Sequence, residues 1–535
     1  MEEKPYMIPA RQMIRHLRSD RNKLKFADST GQEMDARTIL LAGLAMRRLL
    51  RRLLQPEEKN VGVLMPTSVY GALANVALAL GGWTSVNLNY TFNSDTLNYC
   101  IETAEIKHVI TSRKFLERFP NLELNADLLV LEDVRKKITW SDKLLAKAES
   151  LLPTSLLERS LGLTGISPND LLTIIFTSGS TGTPKGAMLT HNNIAANVAG
   201  FNERLRVTVK DRLLGILPLF HSFGYTTTFW LPLLSECSMV YHFNPLDAKK
   251  VGEISAKYDC TTMPSTPTFQ KAYLRRCPKE QFEKMHTIVC GAERLPTELT
   301  AEWAEKFGHR PVEGYGTTEL SPVVSTCSPP CRFPDAADFY REGSIGKPLV
   351  NVRVKIVDPE SGNEQPTGEP GMLLVKGPVV MKGYYRNPER TAEVFKGGWY
   401  VTGDIARQDA DGFLFITGRQ SRISKIGGEM VPHILIEEVI EKILARQRDP
   451  EQEGDGVQVA VTAVADDKKG EKIVVLYKSM VIPPEEVREA MMNEGLPNLW
   501  IPALQNFRQV DAIPLLGTGK LDLAAVKKMA DDMFT

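Results

Sequence analysis

The stretch 176–188 reads Phe-Thr-Ser-Gly-Ser-Thr-Gly-Thr-Pro-Lys-Gly-Ala-Met and follows directly on the apolar run Leu171-Leu172-Thr173-Ile174-Ile175. An apolar, β-branched run that breaks into hydroxyl and glycine residues predicts a buried strand feeding a loop. Such a loop suits a polyphosphate. Glycine lets backbone N–H groups turn toward an anion, the hydroxyls donate further hydrogen bonds, and Lys185 adds a point charge. It is not a Walker loop, in which Ser or Thr follows Gly-Lys, because here Lys185 lies between Pro184 and Gly186. The alternative is a flexible surface turn.

Outward from this loop, strand-like runs alternate with helical stretches between about 60 and 320: 61–66, 108–112, 212–218, 239–243 and 287–293. This alternation predicts parallel α/β layers, whose ligands bind at the carboxyl ends of strands. The segments Pro218–Gly224 and Gly291–Glu293 also follow strand-like runs. From about 340 the texture changes to short strands and turns, with Asp411-Gly412 as a hairpin turn. Beyond Arg419 lie helical patterns at 436–447, 484–494 and 522–533, interleaved with strands. The expected organisation is a large N-terminal α/β domain over 1–419, carrying a β-barrel-like unit over about 340–419. A small, mobile α+β domain follows over 420–535.

The chain has 535 residues, too many for one hydrophobic core, and its 43% hydrophobic and 24% charged residues are those of an ordinary globular protein. Lys plus Arg and Asp plus Glu both total 65, so net charge gives no argument for a nucleic-acid partner. The N-terminus lacks the apolar core of a signal peptide, and the apolar segment Ala72–Leu80 reads as a buried helix too short to span a bilayer. Seven scattered cysteines fit free thiols in a reducing cytoplasm, and Cys327 and Cys331 find no second pair to complete a zinc site. Arg47, Arg48, Arg51 and Arg52 cluster on a helix-like stretch. This is either a solvated face or a docking surface for an acidic carrier protein or the anionic inner face of a membrane.

Further motifs follow in order: Leu217–Gly224 (LPLFHSFG), Glu313–Glu319 (EGYGTTE), Tyr400–Asp404 (YVTGD), Gly418-Arg419 and Leu516–Lys520 (LGTGK). Together with the opening loop they resemble the adenylate-forming superfamily of acyl-CoA synthetases, peptide-synthetase adenylation domains and luciferases. Segments 86–117, 217–224, 313–325, 425–431 and 513–520 look, more narrowly, like the acyl-acyl-carrier-protein synthetase half of the bifunctional 2-acylglycerophosphoethanolamine acyltransferase family. The expectation is a stand-alone synthetase or a separated half that works with a lysophospholipid acyltransferase.

The resemblance implies two half-reactions. ATP and a fatty acid give an acyl adenylate and pyrophosphate, and a phosphopantetheine thiol of acyl carrier protein, or of CoA, then takes the acyl group. Thr177, Ser178, Ser180, Thr181, Thr183 and Lys185 would hold the β- and γ-phosphates. Glu319 would hold Mg2+, and Thr318, beside Gly316 and Thr317, would meet the α-phosphate. Tyr315 would stack on adenine, with Gly291-Ala292-Glu293 as the opposite wall. Asp404 would accept the ribose hydroxyls, reinforced by Arg419. Lys520 would serve adenylation and Lys425 thioester formation, about a hinge at Ser421, where the family usually carries Asp or Lys. His221 would stand near the carboxyl end of an acyl tunnel formed by Phe223, Tyr225, Phe229 and Trp230, or else sit in the core. Amino-acid-activating relatives place an aspartate where this chain has His221, which disfavours an amine-bearing substrate. A medium- or long-chain acyl-CoA synthetase, a non-catalytic nucleotide- or acyl-binding protein and a luciferase-like oxygenase stand as alternatives.

Overall fold

Two parallel-rich sheets form the body of the chain in the computed structural model, which describes residues 6–19, 21–177, 183–333, 336–426, 429–447, 457–466, 470–494, 496–515 and 521–534. Ser178, Ser180, Thr181 and Lys520 therefore lie outside the described residues, as does the side chain of Lys425. The first sheet orders its seven strands Gly383–Tyr384, Lys185–Thr190, Leu171–Thr177, Thr84–Asn87, Asn60–Val63, His108–Thr111 and Asp127–Val130. The last five run parallel, and each strand-like run between 60 and 177 is a strand. The second sheet has nine strands, with Arg212–Gly215, Ser238–Tyr241, Thr262–Ser265, Thr287–Cys290 and Val312–Gly316 parallel at its centre.

Both sheets read as continuous apolar runs because helices cover their faces. The helix Val69–Gly81 shows why. Ser68 caps its first turn by accepting from Gly71 N–H, Gly82 ends it in the left-handed region, and every residue from Ala72 to Leu80 is buried. It is a core helix, and among the described residues no helix is long and apolar enough to cross a membrane.

The β unit after 340 is antiparallel, with Arg353–Val357, Gly371–Lys376, Trp399–Gln408, Phe395–Lys396 and Leu414–Arg419 paired into five strands. Gly412, at φ +85°, makes the expected turn. Its hydrogen-bonded path is open, not closed into a barrel, and the chain leaves it twice. Lys347–Pro348 joins the edge of the nine-stranded sheet, and Gly383–Tyr384 joins Lys185–Thr190 of the seven-stranded one. That detour places the β unit against the strand Lys185–Thr190, which follows the glycine-rich segment in sequence.

Past Arg419 a separate core forms from Ile426, Val431, Ile436, Ile440, Val459, Val475 and Phe507, within a smaller domain built on a three-stranded sheet. Among the described residues no buried apolar cluster draws on both sides of 419–426. An ion pair between Arg294 and Glu438 crosses between the two parts.

The arginine cluster is neither a wholly solvated face nor a free docking surface. Arg47 is 2% exposed, and burial, with Arg51 and Arg48 adding to it, pulls its pKa down to about 10. Arg48 pairs with Glu149 at 2.7 Å, and Arg52 pairs with Asp142. The cluster is therefore part of the packing face between the helices Ala36–Leu53 and Trp140–Leu151: Arg48 and Arg52 are paired with acids of the second helix, and Arg47 is buried with its guanidinium toward Leu161 O at 3.5 Å.

Candidate functional site

Strand Val312–Gly316 ends at the junction of the two sheets and the β unit, and its last residues open the site. Gly316 passes so close to the neighbouring chain that a Cβ there would lie 1.9 Å from Pro322 O, so only glycine fits. The tight passage sets Tyr315 facing the β unit. Its hydroxyl donates to Asp404 Oδ2, while Arg419 Nε donates to Asp404 Oδ1 at 3.0 Å. Strand pairing causes this contact: Asp404 and Arg419 are direct partners across the Trp399–Gln408 and Leu414–Arg419 strands. Thr402 Oγ1 accepts from the Asp404 N–H at 3.0 Å and fixes the bend.

Asp404 is buried, and burial raises its pKa, with Glu319 adding to the rise and Arg419 and Tyr315 opposing it. The Asp404 carboxylate in turn holds the Arg419 guanidinium above its ordinary value. Burial likewise drives the Tyr315 phenol well up, and the neighbouring Asp404 charge drives it further. Tyr315 therefore remains a neutral donor to a carboxylate whose two oxygens both accept hydrogen bonds.

Glu319 lies three residues past Gly316, on the short turn Thr318–Leu320. Tyr384 Oη donates to its Oε1 at 2.8 Å. The contact exists because Gly383–Tyr384 pairs with Ala187 and Met188, which also brings Tyr384 to Lys185, whose Nζ lies 6.0 Å from the ring centroid. Burial lowers the Lys185 pKa, Arg390 reinforces the drop, and Glu319 and Glu393 oppose it. Glu319 thus acts electrostatically on Lys185, Tyr384, Tyr400, Asp404 and Arg419 together, which defines one site. An open cleft of about 230 Å³ borders it, lined by Tyr99, Thr183, Pro184, Lys185, Asn387 and Arg390.

The strands Leu171–Thr177 and Lys185–Thr190 are antiparallel, with Thr177 opposite Lys185. The glycine-rich segment therefore joins two strands at a sheet end, whereas a Walker loop feeds a helix. Thr177 and Lys185 are half-buried and Thr183 is exposed. Thr317 Oγ1 is buried beside the Tyr400 phenol. Thr318 Oγ1 is 3.0 Å from Ser222 Oγ, tying this turn to the 217–224 segment.

His221 is exposed at that junction, not in the core. Its Nδ1 accepts the Phe223 N–H at 3.2 Å, which leaves the proton on Nε2. The aromatic residues beyond it do not line a tunnel. Tyr225, Phe229 and Trp230 are at most 1% exposed and pack on one another in the main core, in a π-helical turn over Tyr225–Trp230. Phe223 alone of the four faces another site segment, since a Cβ on Gly291 would stand 3.1 Å from its ring. Ala292 follows at φ +67°, and Glu293 turns outward to accept from Thr268 Oγ1 at 2.7 Å.

The structure thus brings Thr177, Lys185, Tyr315, Gly316, Thr317, Thr318, Glu319, Asp404 and Arg419 to one junction. Tyr384 is a participant that sequence reasoning missed, and the Gly-Tyr-Tyr run at 383–385 is its only local signal. Magnesium fits the donor set. Among the described residues no group of three or more potential ligands exists, but a single carboxylate such as Glu319 serves an ion that takes its remaining ligands from phosphate and water.

A 34%-identical relative is the long-chain-fatty-acid–CoA ligase of Escherichia coli O6:H1, aligned over 66% of this chain and 61% of that protein. The chain thus spans about three-fifths of that relative's length. The long-chain-fatty-acid–CoA ligase of Bacillus subtilis is 26% identical over 93% of this chain and 91% of its own. Among solved structures, ATP-bound MatB from Rhodopseudomonas palustris superposes with a TM-score of 0.80 at 25% identity, covering 98% of this chain and 100% of that one. Residues 25–385 match the model of the AMP-binding enzyme family, and the chain belongs to that family.

Proposed function

We propose that the protein is an AMP-forming fatty acid ligase. It uses ATP to activate a fatty carboxylate as the acyl adenylate, then passes the acyl group to a phosphopantetheine thiol. The observation that carries this reading is the joining of Tyr315 and Arg419 to the buried Asp404 carboxylate in one hydrogen-bonded set, held beside Glu319 and Lys185.

Each residue acts by a stated means. The Tyr315 face meets adenine while its hydroxyl holds the Asp404 carboxylate, and Arg419 holds the other oxygen. Asp404 keeps lone pairs on both oxygens for the ribose hydroxyls. Lys185, with Thr177, Ser178, Ser180, Thr181 and Thr183, stabilises the charge that develops on the departing pyrophosphate. Lys185 is half-buried, so its charge is screened less than that of a fully exposed lysine. Glu319 would hold Mg2+, which supplies charge neutralisation at the phosphates. Thr317 and Thr318 supply hydroxyl groups beside it, and His221 stands at the adjoining edge. Lys520 is assigned to adenylation and Lys425 to thioester formation. The chain divides at 419/420, so that rotation of the smaller domain about Ser421 exchanges the two lysines.

CoA is the preferred acceptor, since the relatives that align over most of the chain are CoA ligases by name. Acyl carrier protein is the second reading, favoured by the run of segments 86–117, 425–431 and 513–520. The test is ATP–pyrophosphate exchange with fatty acids of graded length, with and without Mg2+, followed by thioester formation on CoA and on carrier protein. We expect exchange only with a fatty acid and Mg2+ both present. Exchange with an amino or aryl acid and none with any fatty acid would refute the reading.

A further inference from the structure

We propose that the helix Trp140–Leu151 is a docking surface for an anionic lipid bilayer. This goes beyond the ligase reading and does not depend on it. A surface helix ordinarily turns its apolar stripe to the core and its charges to water. This helix is inverted. Trp140 is 76% exposed, Leu144 48% and Leu151 66%, and at 100° per residue the three fall within about 40° of one another. The buried positions, Asp142 and Ala146, lie on the opposite side of the wheel. Leu156, on the next helix, is 49% exposed as well. Isolated exposed leucines need no explanation, but a tryptophan–leucine stripe aimed straight out of the molecule does.

Charge placement identifies the occupant. Residues 140–160 contain three acids and three bases. All three acids are drawn inward: Asp142 to Arg52, Glu149 to Arg48 at 2.7 Å, and Glu158 to Arg11 at 2.8 Å and Arg15 at 2.9 Å. The three bases, Lys143, Lys147 and Arg159, are all exposed. The face that meets solvent is therefore an apolar stripe with Lys143 and Lys147 along one edge and Arg159 on the next helix, although the segment is neutral by count. Tryptophan and leucine flanked by lysine is the composition that lies in a bilayer interface, with the ring at headgroup depth and the ammonium groups on anionic lipid phosphates.

The test is flotation of the full chain with vesicles of phosphatidylcholine alone or with about 30% phosphatidylglycerol. Two variants accompany it, Trp140→Gln/Leu144→Gln/Leu151→Gln and Lys143→Glu/Lys147→Glu. We expect the parent to partition at least about tenfold better onto the anionic vesicles. Each variant should lose at least about tenfold of that, and salt at about 0.5 M should weaken the parent toward the charge-reversed variant. Both variants should melt with the parent, as no substituted side chain is buried. If the apolar variant misfolds, the charge-reversed variant decides. A parent indifferent to phosphatidylglycerol, variants that float like the parent, or binding to an acidic carrier protein but to no vesicle would each overturn the proposal.

Discussion

Replacing Asp404 by asparagine tests whether the Tyr315–Asp404–Arg419 set, centred on the buried carboxylate, grips a nucleotide or only braces the β unit. The substitution keeps the shape and one acceptor oxygen but removes the charge and turns the other oxygen into a donor. Arg419 Nε–H can only donate and keeps the remaining oxygen, so the new NH2 group faces the Tyr315 hydroxyl, which must turn to accept, and both contacts lose their charge assistance. A hydrogen bond to a charged group contributes about 1.5–3 kcal/mol. Arg419 is 51% exposed, so water takes over part of its share, and the cost to folding stability is about 1–2 kcal/mol. The cost to nucleotide binding is separate. If the carboxylate accepts the ribose hydroxyls, one weakened charged contact raises the ATP KM about 10- to 150-fold, while the KM for the fatty acid stays put. ATP–pyrophosphate exchange at saturating fatty acid measures the first effect, and a thermal melt measures the second. A variant that melts lower yet keeps the parent's ATP KM would show that the triad is a structural brace, and the assignment of Asp404 to ribose would be wrong.

Two further predictions concern pH. Burial raises the Glu313 pKa to about 7, against opposition from the Leu295 N–H and Arg294 and with support from Glu438. The folded protein therefore binds the proton more tightly, and this carboxyl lowers stability as pH rises from about 4.5 through about 7, by about 3 kcal/mol at most. Glu313→Gln should abolish that loss, giving denaturant midpoints that converge with the parent near pH 5 and exceed it near pH 8; parallel profiles would disprove the buried-carboxyl account. Asp142 has the opposite sign: the Arg52 hydrogen bond holds its pKa well below the carboxylate range, so its contribution is present above about pH 4 and is lost as pH falls further. Asp142→Ala also removes the capping box with Thr139, and should cost about 1–3 kcal/mol near neutral pH, less in acid; an unchanged melt would mean that the arginine cluster is not a packing face.

The parts of the fold that were legible are those whose cause is local. The runs at 61–66, 108–112 and 171–177 are buried on both faces, so their apolar character is continuous and marks parallel strands without further context. The Asp411-Gly412 turn is set by glycine's freedom at positive φ, which the sequence displays directly. Tyr315, Asp404 and Arg419 were each visible because they stand inside short motifs, although nothing in the sequence says that the first donates to the second across a separation of 89 residues. What stayed hidden depends on which distant segment arrives next door. Tyr384 becomes the partner of Glu319 only because a two-residue strand from the β unit crosses to the edge of another sheet.

The arginine cluster carries this argument furthest. Four arginines in six positions are a solvated or docking face in every local sense, and the acids that bind two of them lie 90 and 101 residues later. Those acids in turn explain the helix that carries them. A helix whose buried face is ionic has its apolar residues left for the outside, so satisfying Arg48 and Arg52 is what turns Trp140, Leu144 and Leu151 toward solvent. The cationic signal read from residues 47–52 and the apolar one at 140–151 are two sides of one contact. A docking surface predicted from the arginines alone would be placed on the wrong helix.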